Sequence, residues 1–433
     1  MKAEFAQQSL FRGKPVRRVH VMIKPTGARC NLDCAYCYYL SKEELLGRPE
    51  DWRISDETLE TFISQYFEAQ NCKEVVFSWQ GGEPTLLGID FFKNVVELEK
   101  KYCPPHVRCE NDLQTNGTLL DDEWCRFLHD QNFLVGLSID GPRDLHDAYR
   151  KDKAGHGSFD RVFAAAKLLR KHKVNVATLC CVNRLTAKHP LAVYRFLRDE
   201  VKTERIQFIP IVEPVGFQHT APQRWNHASM PVIDTPQARP GVEDSVVEDW
   251  CVDPDDWGDF LCRVFDEWHE KDVGRIYVNL FEAVVETWMG HTAPLCTLAP
   301  MCGKGLALER DGSLYACDHY VYPEYRMGNV GERPLADMAY SEQQEVFAKM
   351  KEGMVPECCR RCEYQFTCFG ECPKNRFIKS SDGEPGLNYL CSGWKKFFSH
   401  IDEPVQRIVR GLGQSVVKEP VMLHAEHWRP REQ

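Results

Sequence analysis

A chain of 433 residues carrying 54 Lys and Arg against 64 Asp and Glu, a formal net charge of −10, is too long for one small domain and lacks the concentrated basic surface of a nucleic-acid binder. Its opening stretch, MKAEFAQQSLFRGKPVRR, holds no apolar run of secretory length, and no segment reaches the roughly 18 apolar residues of a membrane span. A cytoplasmic location is expected, and there twenty cysteines cannot form a disulfide framework, which leaves metal ligation and catalysis for those that cluster.

In chain order, β-branched or aromatic runs (RVHVMI, EVVFSW, VRCENDLQ, FLVGLSI, VNVATLCCV and RIQFIPIV) alternate between Arg18 and Val212 with stretches of helical periodicity. Those stretches are SDETLETFISQYFEAQ, IDFFKNVVELEKK, DDEWCRFLHD, SFDRVFAAAKLLRKH and PLAVYRFLRDEV. Six βα units imply a parallel sheet with right-handed crossovers: an α/β fold with a partial (β/α)6 TIM-like barrel, three quarters of a closed one. Chemistry in such a fold sits in the loops after the strands, and CNLDCAYC, QGGEP, QTNG and SIDGP each follow a predicted strand directly. The barrel is assigned to 15–247. Its last part, 213–247, is rich in Pro, Gly and polar residues, lacks periodicity, and reads as a long loop lying over the site. A helical connector (248–290), a cysteine-rich domain (291–395) and a C-terminal helix and tail (396–433) follow. The cysteine-rich domain is too poor in apolar residues for a core of its own, and metal ligation would supply the missing stability.

Cys30, Cys34 and Cys37 form a Cys-x3-Cys-x2-Cys loop after the first strand. Three thiolates are one short of a closed tetrahedral zinc site, whereas a [4Fe–4S] cube held by three has one iron free to chelate an amine and a carboxylate. A zinc knuckle is the competing reading. Nine more cysteines follow: Cys296, Cys302, Cys317, Cys358, Cys359, Cys362, Cys368, Cys372 and Cys391. Eight make two four-cysteine sites with Cys358 spare, and zinc ribbons compete with iron–sulfur clusters there. Counting alone groups the four closest in sequence.

The N-terminal loop and QGGEP resemble the radical S-adenosylmethionine (SAM) superfamily. The resemblance implies that Gly81, Gly82 and Glu83 receive the methionine ammonium, that Tyr36 lies near the adenine, and that Gln114, Ser138, Arg150 and Val212 surround the ribose and adenosyl moiety. The C-terminal array resembles the SPASM extension, which implies Cys296, Cys302, Cys317 and Cys372 on one auxiliary cluster and Cys359, Cys362, Cys368 and Cys391 on the other. With CNLDCAYCYYL, QGGEPTL, LQTNGTL, FLVGLSIDGP, YRKD, YACDHYV and NYLCSGW, nearly the whole chain is similar to anaerobic sulfatase-maturating enzymes.

That family implies SAM and three [4Fe–4S] clusters. It also implies a cysteine or serine of an unfolded or nascent sulfatase as substrate, Cα-formylglycine as product, and a flavodoxin- or ferredoxin-type electron donor. Asp318 matches the base that removes the thiol or hydroxyl proton, and the alternative for it is a cluster-loop cap. Tyr39 is a candidate substrate contact, with packing under the loop as its alternative. Two other functions compete. A SPASM enzyme forming thioether or carbon–carbon crosslinks would be expected to carry an N-terminal peptide-binding domain, for which the residues before Arg18 leave no room. A zinc-stabilised binding protein would be colourless. The remaining cysteines are read as buried small hydrophobes, and HAEHW near the C-terminus as a solvated tail.

Overall fold

The computed structural model describes residues 10–47, 52–303 and 305–419; HAEHW and the first nine residues lie outside them. Six parallel strands are where the β-branched runs put them: β1 (His20–Lys24), β2 (Glu74–Trp79), β3 (Arg108–Thr115), β4 (Leu134–Ser138), β5 (Asn175–Val182) and β6 (Arg205–Pro210). The intervening helices turn their apolar stripes to the sheet. In α1 (Asp56–Glu68), started by the Ser55 side chain accepting from the Thr58 N–H, these are Leu59, Phe62, Ile63, Tyr66 and Phe67. Phe62, Tyr66 and Phe67 meet Phe77 of β2 edge to face, and Phe77 in turn stacks on Trp79.

The sheet continues beyond those six on both sides. β7 (Tyr277–Val278) adds to β6, while β8 (Gly305–Glu309) pairs in parallel with β1 and is followed by antiparallel β9 (Ser313–Tyr315) and β10 (Arg326–Asn329). The ten strands lie in the order β10-β9-β8-β1-β2-β3-β4-β5-β6-β7. The barrel and the cysteine-rich segment therefore share one hydrogen-bonded sheet, and their buried apolar residues merge into one main cluster.

Two helices of the connector, α2 (Pro254–Lys271) and α3 (Asn279–Trp288), pack on α4 (Cys391–Gly411) through Trp257, Phe265, Phe281, Trp394 and Phe397. At the α2–α4 crossing a Cβ on Gly393 would lie 2.1 Å from the Pro254 carbonyl oxygen, so that position admits only glycine. The 213–247 segment is irregular but tied down: Phe217 and Pro222 carbonyls accept from Tyr322 and Tyr325, and Gln223 donates to the Pro373 carbonyl at 2.6 Å. Among the described residues no helix is long and apolar enough to cross a membrane.

Candidate active site

The cysteine loop leaves the end of β1 and is fastened to the QGGEP turn at the end of β2. Gly82 N–H donates to the Gly27 carbonyl at 2.7 Å and Glu83 N–H to that of Arg29 at 2.9 Å. The approach is so close that a Cβ on Gly82 would lie 1.9 Å from the Arg29 oxygen. Glu83 itself is buried. One carboxylate oxygen accepts from Thr85 N–H, Thr85 hydroxyl and Thr115 hydroxyl, and the other from Asn116 N–H at 2.7 Å. Burial raises its pKa against the pull of those donors. Its oxygens thus tie the ends of β2 and β3 together, and Asn116 carries the link on to Asn31 and to the Cys30 sulfur.

Burial pushes the Cys30 thiol up to about 12, with the neighbouring Glu83 and Cys37 adding to it, and it raises Cys34 and Cys37 as well. Three thiols held this close in a buried loop become thiolates together only beside added positive charge, which is what an iron–sulfur cube provides. The donor set fits that group.

A second cluster of polar side chains stands beside the loop. Asp140, fully buried in the SIDGP turn, receives Arg150 through Nε at 2.8 Å and Nη2 at 3.1 Å, the Tyr36 hydroxyl, and the Cys181 N–H. Tyr36 and Arg150 are thus brought together, with the guanidinium 5.5 Å from the ring centroid. Gln114 donates to the Ser138 hydroxyl at 2.8 Å. A Cβ on Gly136 would meet the Gln114 side-chain oxygen at 2.1 Å, so the glycine makes room for that amide. Gln114 also lines a cavity of about 740 Å³, mixed in polarity, whose walls include Asp112 and His20. Val212 is buried, and its carbonyl accepts from Lys374 at 2.6 Å.

The C-terminal cysteines fall into two spatial groups. Burial raises the Cys317 thiol and the charges of Cys296, Cys372 and Cys302 add to it; at Cys372, after burial and Glu371, the contributors include Cys302 and Cys296. The other group, Cys359, Cys362, Cys368 and Cys391, lines a cavity of about 100 Å³ together with Cys358, Tyr364, Trp394 and Phe398. Cys372 is separated from its sequence neighbour Cys368 by three consecutive left-handed residues, Phe369 (φ 47°), Gly370 (φ 69°) and Glu371 (φ 52°). Two of them carry side chains, and such a backbone needs external support. The buried Arg376 guanidinium supplies it by donating to the carbonyls of all three, at 2.8, 2.9 and 3.2 Å. Among the described residues no three His, Cys, Asp or Glu converge on the position of one metal ion; a cube takes its thiolates at separate corners.

Asp318 lies between the N-terminal loop and the first of these groups. It is buried, with Lys24 at 2.5 Å from one carboxylate oxygen and the Tyr38 hydroxyl donating to the other. Burial alone would raise its pKa, but Lys24, His319 and the Tyr38 hydrogen bond outweigh it and hold the carboxyl below its usual range. Asp318 is therefore ionised at neutral pH and able to accept a proton. Around it stand further buried charges: Glu213 and Lys374 at 2.5 Å, and Lys42, whose ammonium sits 3.3 Å from the Tyr322 ring centroid. Burial lowers Lys42 to about 7, against the raising influence of Glu213 and Asp318. His319 is lowered to about 4 by burial and then by Lys374, and is neutral.

Tyr39 is buried with its hydroxyl given to Glu309 and its ring under Lys24, so it packs beneath the loop while its neighbour Tyr38 meets Asp318. Lys24, Tyr38, Asp140 and His319 are absent from the sequence-derived set. Each is a lone polar residue at a strand end or inside a motif, without a spacing signal; only the position of Asp140 in SIDGP, directly after a strand, pointed to it.

Family models for the "Radical SAM superfamily" and an "Iron-sulfur cluster-binding domain" match residues 25–197 and 296–363. The chain is 43% identical over 383 residues, 88% of its length and 89% of the relative's, to a serine-type anaerobic sulfatase-maturating enzyme of Bacteroides thetaiotaomicron. To a cysteine-type anaerobic sulfatase-maturating enzyme of Clostridium perfringens it is 32% identical over 382 residues, 88% and 95% of the two chains. A solved structure described as native anSMEcpe with bound AdoMet and Kp18Cys peptide superposes with a TM-score of 0.77 at 31% identity, covering 91% of this chain and all of that one.

Proposed function

The chain belongs to the anaerobic sulfatase-maturating enzymes of the radical SAM superfamily, and on that premise we propose that it oxidises one serine or cysteine of an unfolded or nascent sulfatase to Cα-formylglycine. The observation that carries this reading is the place of Asp318. It follows Cys317 in the chain, and its hydrogen-bond donor Tyr38 follows Cys37, so an ionised carboxylate joins the two cysteine centres between which a substrate must lose a hydrogen atom, a proton and an electron.

When bound, SAM and three [4Fe–4S] clusters supply a 5′-deoxyadenosyl radical that takes a hydrogen atom from the substrate Cβ and an auxiliary centre that takes up the electron. Cys30, Cys34 and Cys37 hold the N-terminal cluster. Cys296, Cys302, Cys317 and Cys372 would hold the inner auxiliary one, and Cys359, Cys362, Cys368 and Cys391 the outer one, with a flavodoxin- or ferredoxin-type protein as electron donor. The backbone of Gly81, Gly82 and Glu83 shapes the methionine cradle, while the Glu83 carboxylate keeps that turn rigid. Tyr36 and Arg150, both locked on Asp140, wall the adenosyl side with Gln114, Ser138 and Val212 and exclude water. Asp318 accepts the proton of the substrate O–H or S–H as the bond from carbon to that heteroatom becomes double; serine thereby gives the aldehyde directly, whereas cysteine gives a thioaldehyde that takes up water and releases hydrogen sulfide to reach the same product. Tyr39 acts from below, through its packing on Lys24.

The test is mass analysis of serine and cysteine sulfatase peptides after incubation with the anaerobically reconstituted protein, SAM and a reductant. A loss of about 2 Da from serine or about 18 Da from cysteine is expected for oxidation to the aldehyde. Cofactor cleavage with both peptides unchanged in mass would overturn the reading.

A further inference from the structure

Among the described residues His319 stands beside Asp318 with no hydrogen bond or ion pair of its own. Lys24 and Tyr38 are engaged with Asp318, Tyr39 with Glu309, and Glu213 with Lys374. The His319 ring leans on Tyr38 at 5.1 Å between centroids, and its Nδ1 is closed off from solvent without a hydrogen bond. Nε2 has no hydrogen-bond partner among the described residues either, but it is not sealed from solvent, and the residue is only partly buried. One ring nitrogen, on the residue next to the carboxylate proposed to take the substrate proton, is thus accessible with nothing to bond. Orphaned buried N–H groups are rarer than orphaned acceptors, so the proton belongs on Nε2 and the sealed Nδ1 keeps only a lone pair.

We propose that His319 is a specificity-determining residue: its Nε2–H donates a hydrogen bond to the side-chain oxygen of a serine substrate and makes this chain a serine-competent enzyme. The chemistry discriminates because a hydroxyl oxygen is a full acceptor and a thiol sulfur a weak one. As the O–H proton passes to Asp318, the electron leaves and the C–O bond becomes C=O, partial negative charge stays on that oxygen, and a fixed donor there stabilises it. His319 neither gains nor loses a proton in the step. A cysteine substrate, whose thiol is several pKa units more acidic than an alcohol, needs no such help.

The inference rests on the formylglycine reading above, and the experiment separates the two. Reconstituted wild type, His319→Phe, His319→Asn and His319→Gln are compared on matched serine and cysteine peptides for KM, kcat and cofactor cleavage, and for binding of fluorescently labelled forms of both peptides. The Phe and Asn variants, which withdraw the donor from the Nε2 position, should lose roughly tenfold or more in serine turnover, the scale of one lost hydrogen bond to a charge-developing oxygen. Their cysteine turnover should stay within about twofold, as expected where only a weak acceptor is lost. Gln, whose amide N–H reaches the same place, should restore serine turnover and serine-peptide binding. Asn provides the reading if the larger Phe ring disrupts the fold. Equal losses on both peptides, no loss on either, or a wild type active on cysteine alone would overturn the proposal and leave the formylglycine reading standing. A wild type that converts neither peptide would overturn both.

Discussion

The N-terminal cysteine loop and the outer C-terminal cavity both gather thiols, but the residues around them differ. Beside Cys30, Cys34 and Cys37 stand an Asp140–Arg150–Tyr36 cluster, the Gln114–Ser138 pair and a turn made narrow by Gly82. Around Cys359, Cys362, Cys368 and Cys391 stand Trp394, Phe398, Leu387 and a fifth cysteine. On the proposed reading, three thiols with polar company suit a site that binds and cleaves a cofactor, and four or five thiols with apolar company suit one that shields a cluster from water. The inner group of Cys296, Cys302, Cys317 and Cys372 stands between the two, with the ionised Asp318 at its edge.

The sharpest way to break this contrast is to replace Cys30, Cys34 and Cys37 together with Ala. SAM cleavage should be abolished while roughly eight irons per chain remain, the content of two cubes; lower iron, or persisting cleavage, would show that the regions do not divide the work. Next in size is Asp318→Asn, expected to keep every cluster and cleave SAM while formylglycine falls by roughly 100-fold or more, the reach of a general base. A mass-spectrometric peptide assay run beside deoxyadenosine quantitation reads both quantities.

Arg376→Met sharpens the distinction between the two C-terminal groups. Without the guanidinium, Phe369, Gly370 and Glu371 lose the donor that holds their left-handed turn, and Cys372 no longer reaches Cys296, Cys302 and Cys317. Iron should fall by about four per chain, one cube, with the N-terminal cluster still supporting SAM cleavage. Loss of SAM cleavage along with the iron would place the N-terminal loop under the same clamp.

The smallest effect concerns Lys42. Its folded pKa is held at about 7 against 10.5 for the unfolded side chain, so between those values the unfolded chain binds a proton that the folded one lacks, and wild-type stability rises with pH across that window. Below about pH 7 both states are protonated and the cost of the buried charge is constant. Lys42→Met should therefore be more stable than wild type by roughly 1–3 kcal/mol at pH 6.5, the gap closing towards pH 10. Urea unfolding at several pH values measures it, and parallel curves for the two proteins would rule out a buried charged Lys42.

Legibility followed how local each feature is. Strands β1, β2, β5 and β6 are readable because β-branched, aromatic or other apolar residues recur at every second, buried position along each; EVVFSW is β2 to the residue. β8, β9 and β10 escaped because GLALE, SLY and RMGN are short and are strands only where β1 offers an edge. Spacing finds the thiols but not their grouping: the reversal at Phe369–Glu371 sends Cys372 away from Cys368, and only the family resemblance anticipated it. The pair Tyr38 and Tyr39 is ambiguous in sequence, since one step along the turn decides which hydroxyl meets Asp318 and which meets Glu309.

The parallel pairing of β8 with β1, from Gly305 opposite His20 to Glu309 opposite Lys24, bears on how this protein can be dissected. A fragment stopping short of Gly305 would strip the cover from β1 and present a naked row of amide and carbonyl groups to any passing strand, an invitation to edge-to-edge aggregation. The same five-residue seam stitches the two halves together through backbone hydrogen bonds, so any swing of one half against the other would have to break it.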